Sequence, residues 1–220
     1  MKKTLSLAVM VMVMVMVMVM VMVMAMGAGS AMAADPVAAG QITFNGQVDP
    51  ATCIAKVVDG GKTSIGSDGT VTLKTVTLAD MKAAATVAQN TTGLNPKDFS
   101  ITVDCTGADA DLKNVALYMS SADFANSDGT LANNTNITLG SGIKMANGVS
   151  IAVHEVEAAG GLTLVNMVNH SDKHELALDD TTRAGTYNLR ASYVMAPGVT
   201  SDAVTSGAVT TNSIYSIVYN

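Results

Sequence analysis

The sequence predicts an all-β protein, a sandwich or a barrel. Three observations carry this expectation. Short segments alternate apolar with polar residues at a period of two, turn residues break them at short intervals, and helical patterning is scarce. Several short strands with frequent turns suit closed or two-layered antiparallel folds.

The chain opens with Met1-Lys2-Lys3, a short basic start. Residues 5–26 are almost wholly apolar, with Val and Met alternating over 9–24. Small residues follow, ending in Ala31-Met32-Ala33. This order reads as a secretory signal over 1–33, with cleavage expected after Ala33. The apolar stretch is also long enough to cross a bilayer, which leaves an uncleaved anchor as the alternative. No basic cluster follows it to stop transfer. The Val-Met run inflates both the count of 16 methionines and the hydrophobic fraction of 49%, so neither figure describes the folded part.

Beyond the leader, the alternating segments come in order. They are Gln41-Ile42-Thr43-Phe44, Val71-Thr72-Leu73-Lys74, Phe99-Ser100-Ile101-Thr102-Val103, Tyr187-Asn188-Leu189-Arg190-Ala191-Ser192-Tyr193 and, with one break, Tyr215-Ser216-Ile217-Val218-Tyr219. Each fits a half-buried strand. Asn45-Gly46, Asp59-Gly60-Gly61, Asp68-Gly69, Asp128-Gly129, Asn147-Gly148 and Ala159-Gly160-Gly161 are turn signals. Residues 78–88, with Ala79, Met81 and Ala83-Ala84-Ala85, suit one or two helical turns. The four prolines are scattered and form no linker, so one domain is expected after a short leader.

Charge and cysteines narrow the function. The net charge is −6, and it becomes more negative once Lys2 and Lys3 are set aside. The charge is dispersed, and a basic nucleic-acid footprint is missing. Cys53 and Cys105 are an even pair behind an export signal, which favours a disulfide. Such a link would contribute roughly 4 kcal/mol in the chain-entropy model.

Catalytic patterns are not apparent. No Gly-x-Ser-x-Gly elbow, Walker loop or dinucleotide glycine fingerprint occurs, and no cofactor is expected. His170-Ser171-Asp172-Lys173-His174-Glu175 is the one cluster with metal-ligand types. Two histidines four apart can share a helix face and bind zinc, but no helix signal surrounds them, and Asn166, Asn169 and Asp172 favour a turn. A polar surface loop without metal is the expectation there.

Three landmarks then fall in a recognisable order. Gly40-Gln41-Ile42-Thr43-Phe44-Asn45-Gly46-Gln47-Val48, followed by Cys53, resembles the start of mature chaperone–usher pilins of the type 1 fimbrial family. Phe99 to Asp104 leading into Cys105 resembles the strand that ends in the second pilin cysteine. Gly207 and the terminal Tyr215, Ile217 and Tyr219 resemble the family's C-terminus, with Gly185-Thr186-Tyr187 to Tyr193 as the strand before it. The set covers nearly the whole mature chain.

The resemblance implies an incomplete immunoglobulin-like β-sandwich lacking its last strand, completed by donor-strand exchange. The pilin domain would span 49–220, and 34–48 would be the donor extension. Alternate residues of an extended segment share a face. Ile42, Phe44 and Val48 would therefore enter a neighbour's groove together, at roughly 1.5–3 kcal/mol each before ordering costs. Gly46 would allow close backbone approach. Tyr215, Ile217 and Tyr219 would line the acceptor groove and meet the chaperone, which would anchor the carboxylate of Asn220.

The partners implied are identical or related pilin subunits, a periplasmic chaperone and an outer-membrane usher, with no nucleic acid. The implied route runs through the periplasm to a cell-surface fimbrium that supports adhesion. Two alternatives stay open: a minor adaptor or tip pilin, and a self-contained exported ligand-binding sandwich. The lack of tryptophan gives the latter a poor stacking platform for sugars.

Overall fold

A computed structural model describes residues 52–64, 66–137, 140 and 142–219. The leader, the expected signal boundary and the expected donor extension lie outside the described residues. Among the described residues ten strands follow one another: β1 Thr52–Asp59, β2 Lys62–Thr63, β3 Leu94–Gly107, β4 Asn114–Ser120, β5 Leu131–Ala132, β6 Val149–Val156, β7 Leu162–Leu164, β8 His174–Ala177, β9 Ala184–Met195 and β10 Ile214–Tyr219. One short helix, α1 Leu78–Ala83, lies between β2 and β3.

The strands form two antiparallel sheets. The large sheet runs β2-β1-β3-β9-β6-β5, with β7 also paired to β6. The small sheet runs β10-β4-β8. Seven-stranded immunoglobulin domains place strands A, B, E and D in one sheet and C, F and G in the other. Here β1, β3, β9 and β6 stand in the A-B-E-D order, and β4 and β10 are C and F. The plan puts G on the far side of β10, and no described strand lies there.

The core sits between the sheets. Alternation along β3 turns Ile101, Val103 and Cys105 inward, and along β9 it turns Tyr187, Leu189 and Ala191 inward. They meet Val115, Leu117 and Met119 from β4. The Tyr187 hydroxyl crosses the layer and donates to the Val115 carbonyl at 3.1 Å. Burial, with the Glu155 charge adding, pushes this phenol well above its ordinary pKa, so it remains a donor. Cys53 and Cys105 form a disulfide that joins β1 to β3 within one sheet, closing a separation of 52 residues.

Two local expectations change form. Helix α1 stops at Ala83, because Ala84 turns extended (φ −66°, ψ 147°) and the chain becomes a strap. Thr77 caps the helix by accepting from the Asp80 amide. The strap, residues 84–93, runs over the outer face of the large sheet. The Met195 amide donates to the Ala85 carbonyl, the Leu164 amide donates to the Gln89 carbonyl, and the Gly93 amide donates to Ser192 Oγ. His154 Nε2 lies 2.8 Å from the Ala88 carbonyl. The second change is at Val71-Thr72-Leu73-Lys74. It turns Val71 and Leu73 to the core, yet it is no strand and joins no ladder with another described residue.

Candidate functional site at the open edge of the small sheet

The site grows from one register. β10 pairs with β4 so that Tyr215 faces Met119, Ile217 faces Leu117 and Tyr219 faces Val115. The three β4 residues are 4%, 0% and 0% exposed. Their β10 partners point to the same side and touch the same core, but all three are only half-buried. The difference is cover. Among the described strands β4 has a neighbour on both sides, whereas β10 has one on a single side.

The opposite wall is the 66–77 segment together with the start of β1. Gly69 lets this segment cross β1 closely, since a Cβ there would lie 2.3 Å from Val57 Cβ. The Thr72 amide donates to Asp59 Oδ2, and Lys97 holds the Asp59 carboxyl below its usual range. Residues 67–76 make no backbone–backbone hydrogen bond to another described residue.

Two tyrosines tie β10 to that segment and to β1. The Tyr215 hydroxyl donates to the Ser67 carbonyl at 2.6 Å. Burial, with the Asp68 charge adding, raises its pKa and keeps that proton in place. At the other end the Cys53 amide donates to the Tyr219 hydroxyl at 3.2 Å. The floor between them carries Ile217. Tyr215 to Tyr219 is about 14 Å of strand, at roughly 3.4 Å per residue.

The chain-wide comparison follows. A family model described as fimbrial protein matches residues 42–220. The chain belongs to the fimbrial protein family. No curated protein sequence matches it. The crystal structure of the P pilus rod subunit PapA is similar at 17% identity and a TM-score of 0.43, covering 83% of this chain and all of PapA. The CupB6 tip adhesin from Pseudomonas aeruginosa is similar at 12% identity and a TM-score of 0.39, covering 62% of this chain and 37% of the adhesin. As a fimbrial protein the chain is a structural subunit of a surface fimbrium and associates with other pilin subunits.

In this fimbrial protein, Ile42, Phe44, Gly46 and Val48 lie outside the described residues, as does Asn220. Tyr215, Ile217 and Tyr219 come together on one wall and floor. The opposite wall was not read as part of the site from sequence, although the alternation of Val71 to Lys74 was its signal.

The histidine cluster needs correction. His174 does not sit in a surface loop. It opens β8 and is 5% exposed, because strand geometry turns it inward. Its Nδ1 lies 2.5 Å from Glu155 Oε2 on β6, and its Nε2 lies 3.4 Å from Asp172 Oδ2. Burial acts to lower its pKa, but the Glu155 hydrogen bond and the two carboxylate charges outweigh burial and raise it. His170 points elsewhere. Its ring stacks on Tyr118 and contacts Ser120 and Ser216. The two imidazoles thus serve different partners. No group of three or more metal-ligating side chains occurs among the described residues.

Proposed function

We propose that this fimbrial protein is a polymerising shaft subunit that accepts a neighbour's strand along β10 and gives its own residues 42–48 to the next subunit. What supports the reading is the matched pair of rows on β4 and β10. The core is complete under β4 and stops half-covered under β10, where an immunoglobulin plan places one more strand. An extended segment seated there would pair its backbone with β10 and press alternate side chains onto Tyr215, Ile217 and Tyr219. Such strand addition draws affinity from backbone hydrogen bonds and specificity from alternate side-chain pockets, and pilin donor-strand complementation is one of the handful of systems in which that mode is best known.

The donor face would be Ile42, Phe44 and Val48, with Gly46 allowing close approach. Before assembly, a periplasmic chaperone would cover the same edge and an outer-membrane usher would mediate exchange. An open apolar edge is an aggregation hazard until something pairs with it. Giving at one surface and receiving at another is a heterologous contact that does not close, so it builds a filament that supports adhesion.

The test uses the chain without residues 34–48, titrated with a peptide of residues 40–48 while the disulfide is intact. A peptide at a thousandfold its Kd should stabilise by about 4 kcal/mol. The same peptide carrying Phe44→Lys and Gly46→Arg should not. If the shortened chain is already stable and ignores the peptide, the sandwich is closed, and a monomeric binding module replaces this reading.

A further inference from the structure

We propose that His170 is a positioning residue that latches β10 from its outer face and so sets the strand in register for uptake. The proposal rests on the reading that the free edge of β10 accepts a strand. Among the described residues β10 has a ladder on one side, its inner face is half-buried, and its two tyrosine hydroxyls reach Ser67 and Cys53. Those bonds act on its inner side, and His170 supplies a further attachment from the outer face. Its Nδ1 lies 2.5 Å from Ser120 Oγ on β4, and its Nε2 lies 3.1 Å from Ser216 Oγ on β10. One ring therefore staples two neighbouring strands across their outer face, and it stacks on Tyr118 of β4 with centroids 6.2 Å apart.

The loop that presents the ring has an uncommon backbone. Asn169 and His170 are consecutive non-glycine residues in the left-handed region, at φ 57° and 52°. Such conformations are uncommon and persist where the surroundings hold them, often at functional positions. The loop is held from both ends. The Asn166 amide donates to Asp172 Oδ2, and two residues on His174 contacts Glu155 of the large sheet. The edge strand is thereby tied through 170–174 to β6.

Either charge state of the ring can keep the staple. A neutral imidazole accepts from one serine and donates to the other, and an imidazolium donates to both, since each hydroxyl can serve as donor or acceptor. The latch is thus a mechanical tie, and a glutamine amide, with an acceptor and a donor on one planar group, is its conservative replacement.

The experiment measures amide exchange in the full chain, isolated as single subunits, comparing His170→Phe, His170→Gln and Ser216→Ala with the unaltered protein. Phenylalanine keeps the stack on Tyr118 and loses the staple. The expected result is exchange of β10 amides roughly tenfold faster in His170→Phe and Ser216→Ala, with β6 and β9 amides unchanged, and recovery in His170→Gln. Unchanged β10 exchange, or one equal acceleration throughout the molecule, would overturn the latch. So would a glutamine variant no better than phenylalanine. A second arm adds the 40–48 peptide. If exchange responds as expected while no form binds peptide, the latch stands and the strand-acceptor reading falls. If the unaltered protein binds peptide and the phenylalanine variant binds it equally fast, the latch is not used in uptake and the proposal fails.

Discussion

β4 and β10 lie side by side with apolar residues in matching register, and they differ in almost everything that burial confers. Leu117 is sealed beneath the large sheet, while its partner Ile217 keeps part of its surface in water. Similar side chains, one strand apart, thus have unequal worth to the lone subunit. The inequality lies in the neighbours, since apolar stabilisation follows the area removed from water.

The strongest way to break the comparison is to loosen the wall opposite β10. Replacing Cys53 and Cys105 with serine should cost roughly 4 kcal/mol in urea unfolding. It should also free the Cys53 amide from the Tyr219 hydroxyl, so the loss should be accompanied by faster β10 exchange. Next comes the direct contrast. Leu117→Ala should cost about 3 kcal/mol whether or not a donor peptide is present. Ile217→Ala should cost about 1 kcal/mol alone and approach the Leu117 figure once the peptide is seated. Equal costs for the two variants in the lone subunit would mean that β10 is already covered.

Smaller effects sharpen the same picture. Tyr187→Phe removes the bond to the Val115 carbonyl on the closed side and should cost about 1 kcal/mol, with peptide binding unchanged. The smallest expected effect is a pH slope from His174. Its folded pKa lies above the ordinary 6.5, so its stabilisation is full below about that pH and is lost as pH rises through the folded value. The unaltered protein should therefore lose some stability as pH rises above about 6.5, and His174→Gln should flatten that slope.

Legibility in the sequence followed the physics of exposure. Phe99 to Val103, Tyr187 to Tyr193 and Tyr215 to Tyr219 were readable because each faces core on one side and something more polar on the other. β6 was not readable. Ala152 and His154 on its outer face are fully buried beside the strap, and Ser150 is fully buried beside Asn126, so both faces are covered and the polar–apolar contrast carries little meaning. Val71 to Lys74 shows the opposite limit. Alternation reports which way side chains point, but a ladder needs a partner, and local sequence does not say whether one is present. The half of the site on β10 was legible from its terminal aromatic pattern. The wall at 66–77, the inward turn of His174 and the staple at His170 depend on residues far apart in sequence and left no local mark.

Edge length carries one more consequence. The large sheet ends in β2 and β5, of two residues each, with β7 of three beside β6, and the small sheet's other end is β8, of four. β10 has six. Short borders offer too few backbone groups to hold a foreign strand. On the proposed reading β10 seats one incoming strand and each molecule has one strand to give. Subunits joined in that way line up in single file with a direction.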